Sequence, residues 1–174
     1  MTSLWIPGSD SVDDADERVK TVFAKYGLAM YQAALLEVEL VHAFALHKII
    51  DAKGAAKLIA DPWHTGYKKK LVELISHVEG QASSDPGLVD DLTECRKRRN
   101  CLAHSYWRDH DLQFASPSGQ IELIRNLDAD VEFIQAVRAR LNAVVHEPAH
   151  RELGFTQDMF DAEFRRLYGE TGCE

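Results

Sequence analysis

Residues 19–50, VKTVFAKYGLAMYQAALLEVELVHAFALHKII, decide the class of fold that this chain can adopt. Apolar side chains recur here at steps of three and four residues, the period of one face of an α-helix, at Val19, Val22, Phe23, Tyr26, Met30, Ala33, Leu36 and Leu40. Negative charge stabilises the beginning of a helix through its dipole, and acidic residues precede this stretch at Asp13, Asp14, Asp16 and Glu17. The pattern therefore predicts a long first helix that ends near Ile50.

The same spacing predicts two further main helices downstream. The second carries apolar positions from Tyr67 to Val78, with Thr65 as its cap. The third begins at Asp85-Pro86, since an acidic cap followed by proline suits the first helical positions, and it runs through Tyr106. These helices are expected to pack against the first one.

The pattern changes after the third helix. Two short apolar runs, DLQFA and QIELI, flank Ser116-Pro117-Ser118-Gly119 and predict a small β-hairpin within the segment 108–126. Asp128 is expected to cap a fourth helix that ends at Pro148, and residues 148–174 are expected to hold a C-terminal helix capped by Thr156. The predicted fold is all-α: an antiparallel bundle of four to five helices, with the hairpin inserted after the third helix and an extended segment at residues 1–12.

Composition and charge limit the classes of protein to which the chain can belong. Its 174 residues, 45% hydrophobic and 28% charged, predict a single globular domain. Three cysteines without a CxxC pair indicate neither a disulfide framework nor a zinc knuckle, and with no export signal or membrane span apparent we expect a cytoplasmic protein. The net charge of -8 argues against a broad basic face for nucleic acid, so any RNA contact must be local.

The octet at residues 99–106, RNCLAHSY, concentrates the residues that can do chemistry. On an ideal helix, steps of four residues form one polar stripe of Arg96, Asn100 and His104. Arg99 and Tyr106 share the neighbouring stripe. Because Arg99 and His104 are five positions apart, about 140° separates them around the helix axis. They converge only if the helix bends or ends, or if two chains contribute, which favours a composite site.

Arginine and histidine together suit the cleavage of a phosphodiester. Arginine binds a phosphate through two parallel hydrogen bonds, and histidine titrates near neutral pH. A base that removes the 2′-hydroxyl proton of RNA lets that oxygen attack the adjacent phosphorus, while an acid protonates the 5′-oxygen that leaves. This route requires neither a metal ion nor another cofactor.

The spacing from Arg99 to His104, with the polar Asn100 directly after the arginine, resembles the Arg-x4-6-His motif of HEPN domains. Tyr106 extends it to Arg-x4-His-x-Tyr, which is similar to the variant in HepT-type toxins. The resemblance is specific over roughly residues 88–107. It implies a helical bundle that dimerises through the motif helices, so that two Arg/His sets form one metal-independent endoribonuclease cleft.

The resemblance also implies roles and partners. Arg99 and His104 would be catalytic, and substrate would be bound by Arg96, Asn100 and Tyr106. Such domains serve toxin-antitoxin and antiphage systems, and in the HepT-type variant a nucleotidyltransferase antitoxin modifies the tyrosine, here Tyr106. The long first helix and the predicted hairpin depart from a minimal HepT-like domain.

Four alternatives remain open from the sequence. The cations at 96–99 can be a solvated helix end, and Tyr106 and Trp107 can be core aromatics, which is the preferred interpretation for Trp107. A non-catalytic HEPN-like module that binds nucleotide, RNA or protein would fit the acidic net charge. A di-metal carboxylate bundle would use the i, i+3 pairs Glu39/His42 and Glu147/His150, although Pro148 interrupts the second pair.

Overall fold

The computed structural model describes residues 12–55 and 62–154, and within these ranges the chain forms helices and no strand. The α-helices are α1 (Val12–Ala55), α2 (Pro62–Tyr67), α3 (Leu71–Glu79), α4 (Gly87–His104), α5 (Tyr106–Asp109), α6 (Asp111–Phe114), α7 (Pro117–Leu141) and α8 (Glu147–Leu153). A π-helical turn, Asn142–His146, joins α7 to α8. The predicted all-α class is therefore confirmed for these residues. No helix among them combines the length and the apolar content that a membrane span requires.

Packing divides the chain into two compact units. The first unit contains the described residues up to Leu35 together with Glu94–Ala136, and the second contains the described residues of Leu36–Thr93 together with those from Val137 onward. Helices α1, α4 and α7 contribute residues to both units. The whole octet at 99–106 belongs to the first unit.

The core of the first unit is built by residues of α1, α4, α5 and α7. Its buried members are Val22, Ala29, Leu102, Tyr106, Leu123, Leu127 and Val131. On α7 these residues follow each other at steps of four, so they lie on one face of the helix. Full burial of each leucine or valine contributes about 1.5–3 kcal/mol. This core holds the end of α4 between α1 and α7.

The second unit combines an apolar core with two ion-pair groups. Its fully buried side chains include Leu40, Val78, Leu88, Leu92 and Leu141. Arg140 pairs with Asp85 and Asp91, and Arg138 binds both carboxylate oxygens of Glu39. Hydrogen bonds from Arg140, and from the amides of the first residues of α4, hold the pKa of the Asp85 carboxyl below its ordinary value. Asp85 therefore caps α4, as the sequence predicts.

The predicted β-hairpin at 108–126 is wrong, because helices α5, α6 and the start of α7 occupy this segment. Ser116 acts as a helix cap: the Gly119 amide donates to its hydroxyl at 3.1 Å, and the Gln120 amide donates to its carbonyl at 2.9 Å. Pro117 then takes the first helical position, where proline is favoured. The four residues that suggested a turn are therefore a helix start, and α7 begins eleven positions before the predicted cap Asp128.

The other predicted boundaries shift for similar local reasons. Thr65 lies inside α2 and does not cap a longer helix, since α2 ends at Tyr67 and α3 begins at Leu71. Pro148 does not end the helical path, because the π-helical turn precedes it and α8 continues to Leu153. The Glu147 amide donates to the Asn142 carbonyl, and this wider turn accommodates a proline that lacks an amide hydrogen. The predicted extended segment at 1–12 falls outside the described residues up to position 11, and so does the C-terminal helix beyond Gly154.

Candidate functional site

Arg99 interrupts the buried face of α4. Leu92, Cys95, Leu102 and, after the helix, Tyr106 follow each other at helical spacing and are all buried, and Arg99 occupies the position between Cys95 and Leu102 in this series. Its side chain is half-buried. A guanidinium in an apolar register weakens helix packing unless it serves another purpose. Arg99 therefore places a charged side chain in an otherwise apolar series on α4.

The other polar residues of the motif lie closer to the solvent. Asn100 and His104 are exposed and Arg96 is half-buried. The Arg99 Nη1 donates to the Asn100 Oδ1 at 3.3 Å, so these neighbouring side chains are brought together. Helix α4 remains helical through His104, which leaves about 140° between Arg99 and His104 around its axis. The predicted polar stripe is thus present, with His104 at its exposed end.

The end of α4 is held by α1. The last carbonyls of a helix have no partner within the helix, and here the Tyr26 hydroxyl donates to the Leu102 carbonyl at 2.9 Å. The Ser105 amide donates to the Cys101 carbonyl at 3.0 Å. After Ser105 the chain begins α5, whose first residue, Tyr106, packs against Tyr26 with 5.2 Å between the tilted rings' centroids. The exposed His104 therefore lies between Leu102 and Tyr106, both of which contact Tyr26.

A second set of contacts joins α4 to α7. The Arg98 Nη1 donates to the Asp130 Oδ1 of α7 at 2.8 Å, and the guanidinium lies 4.1 Å from the centre of the Phe133 ring. Burial raises the pKa of the Asp130 carboxyl above its ordinary value, although the adjacent Arg98 opposes this effect. Arg98 is thus an anchor between α4 and α7, and the run of cations at 96–99 is only in part a solvated surface.

Tyr106 is a core residue. Its side chain is 5% exposed, and its buried hydroxyl has no hydrogen-bond partner in the part of the chain that the structure describes. Burial, reinforced by the negative charge of Asp130, raises the pKa of the Tyr106 phenol to about 12. Trp107 packs beside it against the same core, as the sequence predicts. Substrate binding or modification at Tyr106 therefore requires its side chain to leave the core.

Some residues of this site carry no motif that sequence reasoning detects. Tyr26 and Asp130 reach the motif from helices distant along the chain. His110 follows the octet closely: its Nδ1 lies 2.5 Å from the Gln113 Oε1, and its ring lies 4.6 Å from that of Tyr106. The only early signal for His110 is its closeness in sequence to the octet, since its spacing to His104 matches no known motif.

A second cluster of histidines lies in the second unit. His146 is 7% exposed, and its Nε2 donates to the Glu39 carbonyl at 3.0 Å. The His146 and His150 rings are nearly parallel with centroids 6.3 Å apart, and His42 lies close enough for the charges of the three imidazoles to interact. The pentapeptide HEPAH, residues 146–150, has the His-Glu-x-x-His spacing of zinc helices and is the signal that could have revealed this cluster.

The geometry of this cluster does not provide a metal site. Glu39 is bound by Arg138 through both carboxylate oxygens, and His146 uses its Nε2 to donate to a carbonyl. Within residues 12–55 and 62–154, no group of three or more histidine, cysteine or acidic side chains is arranged to hold a metal ion. The di-metal alternative therefore finds no ligand set in this part of the chain.

The histidine cluster predicts that the protein loses stability in mild acid. Burial lowers the pKa of His146, and it also lowers the pKa values of His42 and His150. Unfolded histidines titrate near 6.5, so below that pH the unfolded chain binds more protons than the folded one and the free energy of unfolding falls. We expect the Tm to fall between pH 7 and 5, with a contribution from His146 because its side chain is buried.

Thermal unfolding at several pH values measures this loss. His146→Gln, which retains a side-chain amide donor for the Glu39 carbonyl, should flatten the dependence of Tm on pH between 7 and 5. The two proteins are compared at one ionic strength, so that the difference between their slopes reports the contribution of His146. Equal slopes in the wild type and in His146→Gln would contradict the prediction.

Comparison with known proteins identifies no relative of this chain. No protein-family model matches the sequence, and no match is found among curated proteins or solved structures. The resemblance to HEPN domains therefore rests on the motif residues themselves and on the helix that carries them.

Proposed function

We propose that this protein is a metal-independent endoribonuclease in which Arg99 and His104 act together at a cleft formed by two copies of the chain. One observation carries the proposal: on the same helix, Arg99 interrupts a buried apolar face and His104 stands exposed at the last position. The two residues have the Arg-x4-His spacing that resembles the HEPN ribonuclease motif. A half-buried guanidinium next to an exposed imidazole is a suitable pair for phosphate binding and proton transfer.

Each residue has a separate role in the proposed reaction. Arg99 binds the non-bridging oxygens of the scissile phosphate, and Asn100 orients it through their 3.3 Å hydrogen bond. His104 of one copy removes the 2′-hydroxyl proton, and the 2′-oxygen forms a bond to phosphorus as the bond to the 5′-oxygen breaks. His104 of the second copy donates a proton to that 5′-oxygen. The products are a 2′,3′-cyclic phosphate and a 5′-hydroxyl, and Arg96 binds a neighbouring phosphate.

The continuity of α4 supports the need for two copies. A bend within the helix would have been one way for Arg99 and His104 to converge, but α4 is helical throughout its span to His104. About 140° around the helix axis separates the two side chains on one copy. When the motif helices of two copies pack as an isologous pair, Arg99 of one copy can lie next to His104 of the other. We therefore propose a homodimer as the active form.

The biological setting follows from the resemblance. We propose a cytoplasmic toxin-antitoxin or antiphage defence module, in which a nucleotidyltransferase-type antitoxin restrains the ribonuclease. The buried state of Tyr106 bears on this pairing, since such an antitoxin would have to capture a form in which the phenol is exposed.

The test is cleavage of RNA by the wild-type protein in EDTA. A fluorescently labelled single-stranded RNA of random sequence should be cut into products whose 5′ ends accept phosphate from a kinase without prior phosphatase treatment. Light scattering at micromolar concentration should show a dimer. Tight binding without cleavage would favour the non-catalytic module, with few phosphate contacts if the affinity depends only weakly on salt. A monomer under the conditions of cleavage would contradict the composite cleft.

A further inference from the structure

The last carbonyls of helix α4 need hydrogen-bond donors from outside the helix. A helix leaves its final carbonyls without internal partners and frays at its ends. His104 is the last residue of α4, and Ser105 departs from helical geometry with φ -133° and ψ -13°. The His104 imidazole is therefore attached to a part of the backbone that is intrinsically free to move.

Tyr26 restrains the backbone on both sides of His104. On the N-terminal side its hydroxyl donates to the Leu102 carbonyl at 2.9 Å. On the C-terminal side its ring lies 5.2 Å from the Tyr106 ring and 4.9 Å from the Trp107 ring, measured between centroids. One side chain from α1 thus contacts the residues before and after the exposed histidine.

The hydroxyl and the ring of Tyr26 have separable functions. The ring contributes apolar packing, which phenylalanine would reproduce. The hydroxyl holds the last turn of α4 in place by donating a hydrogen bond to the Leu102 carbonyl. Leu102 is 2% exposed, so its carbonyl has little access to water as an alternative donor. The group that requires the hydroxyl is therefore the Leu102 carbonyl, which lies at the end of α4, two residues before His104.

We infer that Tyr26 is a positioning residue that orients His104 through its hydrogen bond to the Leu102 carbonyl. The expected effect on cleavage rests on the proposed function, whereas the orientation of His104 by Tyr26 does not depend on it. Tyr26 holds the His104 backbone in one conformation, so that the imidazole is presented to the phosphate without an entropic cost at each turnover. No motif in the sequence connects these residues, which are separated by more than seventy positions.

The experiment compares Tyr26→Phe with Tyr31→Phe. Tyr31 lies on the same helix with a side chain that is 58% exposed, so it is a matched control for removal of a tyrosine hydroxyl. In ¹⁵N- and ¹³C-labelled protein, Tyr26→Phe should accelerate amide hydrogen exchange at Ser105 roughly three- to tenfold, as expected for the loss of one hydrogen bond. It should also shift or broaden the His104 imidazole signal, and Tyr31→Phe should change neither.

The catalytic readout uses the random-sequence single-stranded RNA. Tyr26→Phe should lower kcat by a similar roughly three- to tenfold factor and leave KM unchanged, because phosphate binding by Arg99 is retained. Unchanged exchange at Ser105 and an unchanged His104 signal in Tyr26→Phe would overturn the inference. If wild-type protein cleaves no RNA, the proposed function fails, while the spectroscopic comparison still decides whether Tyr26 orients His104. A lowered Tm without local spectroscopic change at 104–106 would show that Tyr26 stabilises only the core.

Discussion

Arg99→Ala and His104→Ala are each expected to lower the rate of RNA cleavage by at least about 100-fold, the usual contribution of a positioned proton-transfer group or of a charge that stabilises the transition state. The physical reason is that Arg99 balances the charge that develops on the phosphorane and His104 moves the protons. Neither side chain belongs to the fully buried core, so the Tm of both variants should stay close to that of the wild type. Initial rates of RNA cleavage in EDTA, together with thermal unfolding curves, measure both quantities.

Lys97→Ala is the matched control for these two variants. Lys97 lies on the same helix, carries the same charge as Arg99 and pairs with Glu94 at the surface. Exposed pairs of this kind contribute little to stability, and the residue has no role in the proposed reaction, so cleavage should change by less than about twofold. A loss of activity in Lys97→Ala as large as that in Arg99→Ala would mean that general positive charge, and not the motif, determines activity.

Mixing the wild type with an excess of His104→Ala tests the composite cleft. In the proposed reaction one His104 takes a proton and the His104 of the other copy gives one, so a heterodimer with a single His104 lacks either the base or the acid. An excess of the variant should therefore suppress cleavage by the wild type as the subunits exchange. Undiminished cleavage in a mixture that exchanges subunits would place the complete site on one chain.

Gly119→Ala is expected to cause the largest loss of stability among single substitutions considered for this protein, about 3 kcal/mol or more. Gly119 lies in the first turn of α7, and a Cβ atom at this position would overlap with the backbone carbonyl group of Gln113. Because the obstacle is backbone and not the end of a flexible side chain, α6 or the start of α7 must shift. Thermal unfolding should show Tm lower by roughly 6–12 °C.

Gly27→Ala is the natural comparison for this loss. Gly27 also lies within a helix, α1, and a Cβ atom there would meet no atom within 4 Å. Alanine should therefore stabilise the protein by up to about 1 kcal/mol, since glycine has the higher entropy in the unfolded chain and the lower helix propensity. Equal effects of the two substitutions would show that helix propensity alone, without the contact at Gln113, decides the outcome at Gly119.

Several features of the fold follow from local sequence. The spacing of apolar residues at 19–50 predicts α1, and Asp85-Pro86 predicts the start of α4, because helix periodicity and caps depend on residues within one or two turns. Residues 99–104 of the octet lie on α4 as expected for the same reason, whereas Ser105 follows the helix and Tyr106 begins α5. At 116–119 the same kind of reasoning failed: Ser-Pro-Ser-Gly is compatible with both a hairpin turn and a helix cap. Leu123 and Leu127, buried on one face with Val131, decide in favour of the helix.

The sequence by itself determined the helical class of this protein, the helix that carries the motif and the position of Arg99 and His104 along it. Only the tertiary structure decided that Tyr106 is buried, that Tyr26 holds the end of α4, that Asp130 anchors Arg98, and that His42 lies near His146. The physical reason is that periodicity and capping act over a few residues, whereas these contacts join helices far apart along the chain. Their energies depend on how the helices pack, which no short stretch of sequence encodes.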